Sequence, residues 1–382
     1  MVVIGDYEVD NLLTSCRRRQ VERALNFLNE GADVNAVDLY EQATPLHFTC
    51  LYCDNITTLA LLNRGAPVNV KDINSNSPLH NVCRSGSEES KTLPMEVCYD
   101  NPTEIAKALL EHGADLHSLD KEGRTPLHVA SFHGEKDLVT LLLDKGADAH
   151  LMDISQRTAL HISCLYGHKD IASILLSQGA DVNSRDCSLA TPLHAACQSG
   201  STELIKDLID KGAGLEIKDV KENTALHWAC ANRYRDVAVI LIEKGADINS
   251  IGEDGRTPLH LAYSNNDWSL IVDLLKNGAN VHVRDAYGAT PLFDKKITIS
   301  SSADLQGKTR LCYASEHSCK EAAIYLICQG ATASLIIATI FFFWIFFCNI
   351  EYSTTKNSLC MASLRGINLF KEASLGIKQH FQ

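Results

Sequence analysis

A chain of 382 residues is long enough for several compact domains. Its 47 acidic residues outnumber 35 Lys and Arg, and the resulting net charge of -12 works against a phosphate backbone or an anionic lipid surface as the main partner. A nucleic-acid role is therefore disfavoured.

The first ten residues, MVVIGDYEVD, carry acids where a secretory signal would carry basic residues ahead of a long apolar core, so the chain reads as cytosolic. Asn11 to Gly31 then spaces Leu12, Leu13 and Cys16, followed by Val21, Ala24, Leu25 and Leu28, as two short amphipathic helices. Arg17, Arg18, Arg19, Glu22 and Arg23 wet one side of this pair. The arginine run reads as a solvated face, with a localisation signal or an anion site as the alternatives.

From Thr44 a fixed phrase recurs. Thr-Pro-Leu-His or a close variant begins at Thr44, Ser77, Thr125, Thr158, Thr191, Thr224 and Thr257, mostly 33 residues apart. The unit from Thr191 to Asp219 shows the physics. Thr191 suits an N-cap and Pro192, lacking an N–H, suits the first helical position. Leu193 points inward, while Ala195, Ala196 and Cys197 are small enough for a second helix to approach. Gly200 ends the first helix. Leu204, Ile205, Leu208 and Ile209 then predict a second helix over Thr202 to Lys211, stopped by Gly212. One helical pair cannot hide its own apolar face, so the unit predicts neighbours.

Two stretches break the rhythm. After Gly86 the acidic segment 87–101 enters the loop between the two helices of the Ser77 unit, and it reads as a surface insertion. Thr290-Pro291-Leu292-Phe293 is in phase, but 293–308 intervenes before a degenerate last unit restarts at Thr309 with Arg310 and Cys312 in place of Pro and His.

The period and the Thr-Pro-Leu-His phrase resemble the ankyrin repeat family over most of the chain. The resemblance implies an all-α solenoid of helix-turn-helix units with β-turn fingers across 1–332, with units starting near 10, 44, 77, 125, 158, 191, 224, 257 and 309. A hydrophobic helix at 333–350 and a polar tail at 351–382 would follow. The stretch 331–350, ATASLIIATIFFFWIFFCNI, is uncharged and 20 residues long, enough at about 1.5 Å per residue to cross about 30 Å of hydrocarbon. A membrane anchor is the leading reading. A buried or partner-covered helix and an unselected C-terminus are the alternatives. Ser358-Leu359 with Leu364 and Ile367 faintly echoes the Elongin-binding start of a SOCS box, although Ser363 stands where that motif has Cys.

Fourteen cysteines and fifteen histidines invite a search for zinc, and Cys50-Leu51-Tyr52-Cys53 has a C-x-x-C spacing. Register removes most of that prospect. Cys16, Cys50, Cys83, Cys164, Cys197 and Cys230 all fall six residues after a unit start, a core column. His47, His80, His128, His161, His194, His227 and His260 all hold the fourth place of the phrase, which by resemblance bridges neighbouring turns. Gly307-Lys308-Thr309 lacks the first Gly and the strand of a phosphate loop, and no other catalytic signature was found. No catalytic residue, metal, cofactor or small-molecule substrate is expected.

What remains is surface. The resemblance places residues four, seven and eight after each start on the concave face. There the large side chains expected to hold a protein or peptide are Phe132, Tyr166 and Trp228, with His133, Leu165 and Asn232 beside them and Phe48 and Tyr52 as a second cluster. The reading is a non-catalytic interaction scaffold or adaptor, cytosolic, tethered to a membrane if 331–350 inserts. The alternatives are a substrate receptor of a ubiquitin ligase, a soluble adaptor with an atypical C-terminus, and the cytosolic arm of a channel-like protein.

Overall fold

A Thr or Ser, usually directly before Pro, with His three residues after it, sets up the start of every first helix after the first in the computed structural model, which describes residues 11–85 and 101–291. Thr44 is extended (φ -88, ψ 165), Pro45 takes the first helical turn, and the Thr44 N–H donates to His47 Nδ1 at 3.1 Å. Because Nδ1 accepts, the proton sits on Nε2, which points at the Asn76 carbonyl oxygen 3.1 Å away in the following unit. The same clasp repeats from His80 to Arg124, His128 to Arg157, His161 to Ala190 and His194 to Asn223, all at 2.9–3.2 Å. The histidines thus bridge turns as expected. The first pair of helices lacks the ring: Asn11 and Thr14 cap each other at 2.9 Å.

The chain divides into two units, Met1–Asp247 and Ile248–Gln382. The first holds seven helical pairs: α1 and α2 (Leu12–Arg17, Val21–Asn29), α3 and α4 (Pro45–Leu51, Asn55–Asn63), α5 and α6 (Pro78–Arg84, Pro102–Glu111), α7 and α8 (Pro126–His133, Lys136–Asp144), α9 and α10 (Ala159–Leu165, Lys169–Ser177), α11 and α12 (Pro192–Ser199, Thr202–Asp210), and α13 and α14 (Ala225–Ala231, Arg235–Glu243). First helices contact first helices of the adjacent pair and second helices contact second helices, which makes two layers. Leu46, Leu79, Leu127, Leu160, Leu193 and Leu226 are at most 1% exposed between them. The second unit, as described, holds one pair, α15 and α16 (Pro258–Ser264, Trp268–Lys276), clasped from His260 to Ala289 at 3.2 Å. Among the described residues every regular element is helical.

Between pairs the chain makes a tight hairpin, the finger. An Asp lies at its base in the first unit, at Asp38, Asp72, Asp120, Asp153, Asp186 and Asp219: the Asp153 N–H donates to the Arg157 carbonyl, while Asp153 Oδ1 accepts the N–H groups of Ser155 and Arg157 at 2.9 Å. Successive fingers of the first unit are joined by one backbone bond each. Ile73 donates to Glu41, Lys121 to Asn74, Ile154 to Glu122, Cys187 to Ser155 and Val220 to Ser188, at 2.8–3.1 Å. The fingers therefore form one continuous edge and not a set of separate loops.

The insertion 87–101 ends at Asn101, whose side chain caps α6 by accepting the Thr103 N–H at 3.0 Å; residues 87–100 lie outside the described residues. So do 293–308, the unit near 309, the stretch 331–350 and the tail 351–382. Among the described residues no helix is long and apolar enough to cross a membrane.

Candidate functional site: the first-helix face and its fingers

The cysteine column is core. Cys50, Cys83, Cys164, Cys197 and Cys230 have no exposed surface, and burial pushes the first four thiols up; it holds Cys16 at about 12. These are packed thiols, not thiolate ligands or nucleophiles. Among the described residues no group of three or more His, Cys, Asp or Glu could hold a metal ion. Burial likewise lowers the pKa of His47, His80, His128, His161, His194 and His260, against the opposing pull of the carbonyl each one faces. The neutral ring is the form that the clasp needs.

The residues read as concave anchors divide. Phe48 is only 4% exposed and lies under the Arg17 guanidinium, 5.9 Å from its ring centroid, while Arg17 also reaches Asp38 and Glu41. Asn81, Val129 and Ile162, at the same place in the next three pairs, are buried as well. At these four places the side chain is packed between adjacent first helices, whereas Ala195, Trp228 and Leu261 at the same place in later pairs are half-buried. Tyr52 is half-buried with Arg19 over its ring at 5.6 Å.

Residues seven and eight after the start do form a surface. Phe132 and Tyr166, from consecutive pairs, meet edge to face with centroids 4.5 Å apart at 63°. His133 abuts Phe132 at 4.8 Å, and His168 stacks near Tyr166 at 6.4 Å while its Nε2 faces the Phe132 carbonyl oxygen at 3.1 Å. Tyr166 remains 49% exposed; Phe132, His133 and Leu165 are half-buried. Trp228 stands apart from this cluster. Its indole N–H donates to Asp219 Oδ2 at 2.8 Å and its ring meets His194 edge to face at 5.7 Å, so the half-buried Trp228 braces a finger against α13. Asn232 is exposed and bonds back to the Trp228 carbonyl at 2.9 Å.

Sequence reasoning gives no role to His168, Asp219 or the individual finger side chains. In five fingers the basal Asp recurs five residues before the start phrase, at Asp72, Asp120, Asp153, Asp186 and Asp219, which is a signal the sequence carries. An open groove of about 680 Å³ lies on the finger side, its lining mixing Arg185 and Lys218 with Glu216, Asp219 and Glu222 around the apolar Leu189 and Ile217. Leu189 has φ +59, a conformation uncommon for a bulky residue, and is 41% exposed.

Comparison with known proteins agrees with this geometry. Family models described as ankyrin repeats match residues 94–186 and 185–252 in three-copy form and 241–292 in many-copy form. An ankyrin repeat protein of fowlpox virus is 31% identical over 134 residues, 30% of this chain and 71% of that protein. The human NF-kappa-B inhibitor alpha is 33% identical over 127 residues, 32% of this chain and 34% of its own length. Human Rabankyrin-5 is 32% identical over 133 residues, 35% of this chain but 11% of its own. The crystal structure of the human ASB11 ankyrin repeat domain superposes with a TM-score of 0.55 at 28% identity, covering 62% of this chain and 99% of that domain.

Proposed function

The chain belongs to the ankyrin repeat family, and from that premise we propose that it is a non-catalytic scaffold that holds a protein or peptide against the first-helix face of its first unit. Ankyrin repeats are in general protein-interaction modules, and fold alone does not name a partner. The observation that carries the reading is the Phe132–Tyr166 pair: two aromatic rings from consecutive repeats in contact, with Tyr166 49% exposed on a layer whose other large apolar side chains are buried or half-buried. Such a half-open aromatic pair, rimmed by His133 and His168, has the form of an interface anchor.

The test is affinity capture with the full chain, comparing wild type with Tyr166→Ala and with Phe132→Ala plus Tyr166→Ala. Proteins held through this face are lost from both variants while thermal melts stay near wild type. Unchanged capture of every protein removes the claim.

Cytosolic placement and a membrane tether at 331–350 belong to the same proposal and lie outside the described residues. Carbonate extraction of the full chain against one ending at residue 330 decides the tether: release of both forms ends it. Recovery of neither Elongin nor a cullin with the tail intact ends the ubiquitin-ligase alternative.

A further inference from the structure

The finger edge of the first unit has its own chemistry. In the five fingers from Asp72 to Asp219, the residues immediately before and after the basal Asp are nearly all exposed. Of these ten positions four are basic (Lys71, Lys121, Arg185 and Lys218), five are aliphatic or Met, one is Cys187, and none is acidic. That is a marked local reversal in a chain of net charge -12.

The two positions also sort by kind. The row before the Asp reads Lys71, Leu119, Met152, Arg185 and Lys218, mostly basic. The row after it reads Ile73, Lys121, Ile154, Cys187 and Val220, mostly apolar, with Ile73 56%, Ile154 72% and Val220 63% exposed.

Three of the four cations are not neutralised from within, while Lys218 pairs with Glu222. Lys71 Nζ donates to the Leu119 carbonyl at 2.7 Å and Lys121 Nζ to Asn74 Oδ1 at 2.8 Å, both neutral oxygens on the neighbouring finger. Arg185 has no ion pair among the described residues. The finger acids are occupied instead: Glu41 pairs with Arg17 at 3.1 Å, Glu122 with Arg124 at 3.0 Å and Glu222 with Lys218 at 3.2 Å, and Asp219 accepts the Trp228 indole N–H. Arg185 and Lys218 reach the wall of the open groove beside Leu189 and Ile217, a wall that also carries Glu216, Asp219 and Glu222, the last two already engaged with Trp228 and Lys218.

The backbone bonds between successive fingers keep both rows in line. Their period is set by helix packing at about 8–10 Å per repeat. A polyproline II strand rises about 3.1 Å per residue with three residues per turn, so it returns the same face every ~9 Å. Two of its three faces then meet the two rows. From the geometry we infer that the finger edge is a docking track for an extended, polyproline II-type peptide of about 12 residues, with acids recurring at every third position opposite the basic row and aliphatic residues opposite the apolar row. The inference rests on the interaction reading above and names the chemistry of its partner. A nucleic acid would satisfy the cations but not the apolar row.

Fluorescence anisotropy of a labelled (Glu-Leu-Pro)4 peptide with the full chain tests it, beside (Gln-Leu-Pro)4, (Lys-Leu-Pro)4 and a 12-nucleotide single-stranded DNA. The expected result is binding of the glutamate peptide at least about tenfold tighter than the glutamine peptide, and weaker as salt is raised. The variant Lys71→Glu, Lys121→Glu, Arg185→Glu, whose changed residues are all exposed, loses that binding and gains the lysine peptide. Failure of the wild type to bind, equal affinity for the glutamine peptide, an unaffected triple variant, or DNA displacing the peptide at equal concentration each overturns the track. Tyr166→Ala separates the two claims. Peptide binding lost with Tyr166→Ala and kept in the triple variant sinks the finger track and leaves the aromatic face; the reverse pattern supports the track and leaves Tyr166 to the capture test.

Discussion

Lowering the pH from 7.5 to 5.5 perturbs the first unit at five equivalent points. His47, His80, His128, His161 and His194 each accept an N–H at Nδ1 and face a carbonyl of the next repeat with Nε2, and burial lowers each pKa below its ordinary value. A second proton must go onto Nδ1, which breaks the bond from the capping residue inside a dry core. The sign follows from linkage. A histidine is protonated below about pH 6.5 in the unfolded chain but resists protonation in the fold, so the unfolded state binds more protons. The stability these residues confer is complete above about pH 6.5 and is lost as pH falls below it. Each contributes a slope of at most about 1.4 kcal/mol per pH unit, so five together give up to about 7 kcal/mol per unit, comparable to the whole stability of a domain. Urea denaturation followed by circular dichroism at half-unit pH steps reads this directly. His161→Gln removes one titrating clasp and should lower the slope by about one fifth whatever it does to stability at pH 7.5. A midpoint that stays level from pH 7.5 to 5.5, or a slope unchanged in the variant, would refute the clasp as the source of acid sensitivity.

Three further outcomes follow from particular contacts. Ser131 stands in the cysteine column with no exposed surface and no hydrogen-bond partner for its hydroxyl, so Ser131→Cys should stabilise by about 1 kcal/mol, read as a higher urea midpoint at constant m. Trp228→Phe removes the donor to Asp219 Oδ2 and should cost about 2 kcal/mol, whereas Asn232→Ala, on the exposed side of the same helix end, should cost under about 0.5 kcal/mol in the same assay. Gly200 has φ +76 and a Cβ there would stand 2.5 Å from the Tyr234 ring, while Gly212 has φ +93 in open space. Thermal melts should therefore place Gly212→Ala about 1 kcal/mol below wild type and Gly200→Ala lower still.

Much of the fold was legible because it is repeated. Seven copies of one phrase located the helix starts, the His and Cys registers and the stops after each second helix, and a neighbour was implied by the unit's single apolar face. The exposed surface was less legible, for reasons that differ by residue. Phe48 is covered by Arg17 from the preceding repeat, an arginine that reads in isolation as a solvated charge. Trp228 spends its N–H on Asp219, nine residues earlier in the finger, a bracing contact that its place in the repeat does not reveal. In α4 the chain buries Thr57 and Thr58 and leaves Ile56 and Leu59 59% and 40% exposed, an inversion that composition does not show. The finger rows vary in type from copy to copy. Only the bonds joining finger to finger show that Lys71, Lys121 and Arg185 lie along one edge.

The central claim is that the first-helix face of the first unit holds a partner through the Phe132–Tyr166 pair. Its most direct measurement is the affinity of a captured partner, by titration calorimetry, for wild type, for Phe132→Ala plus Tyr166→Ala, and for Lys206→Ala on the exposed side of α12 in the other layer. Loss of two anchors predicts a roughly 30-fold or greater weakening in the double variant, about 2 kcal/mol, and no change for Lys206→Ala. Equal affinities for wild type and the double variant, or a loss confined to Lys206→Ala, would contradict it.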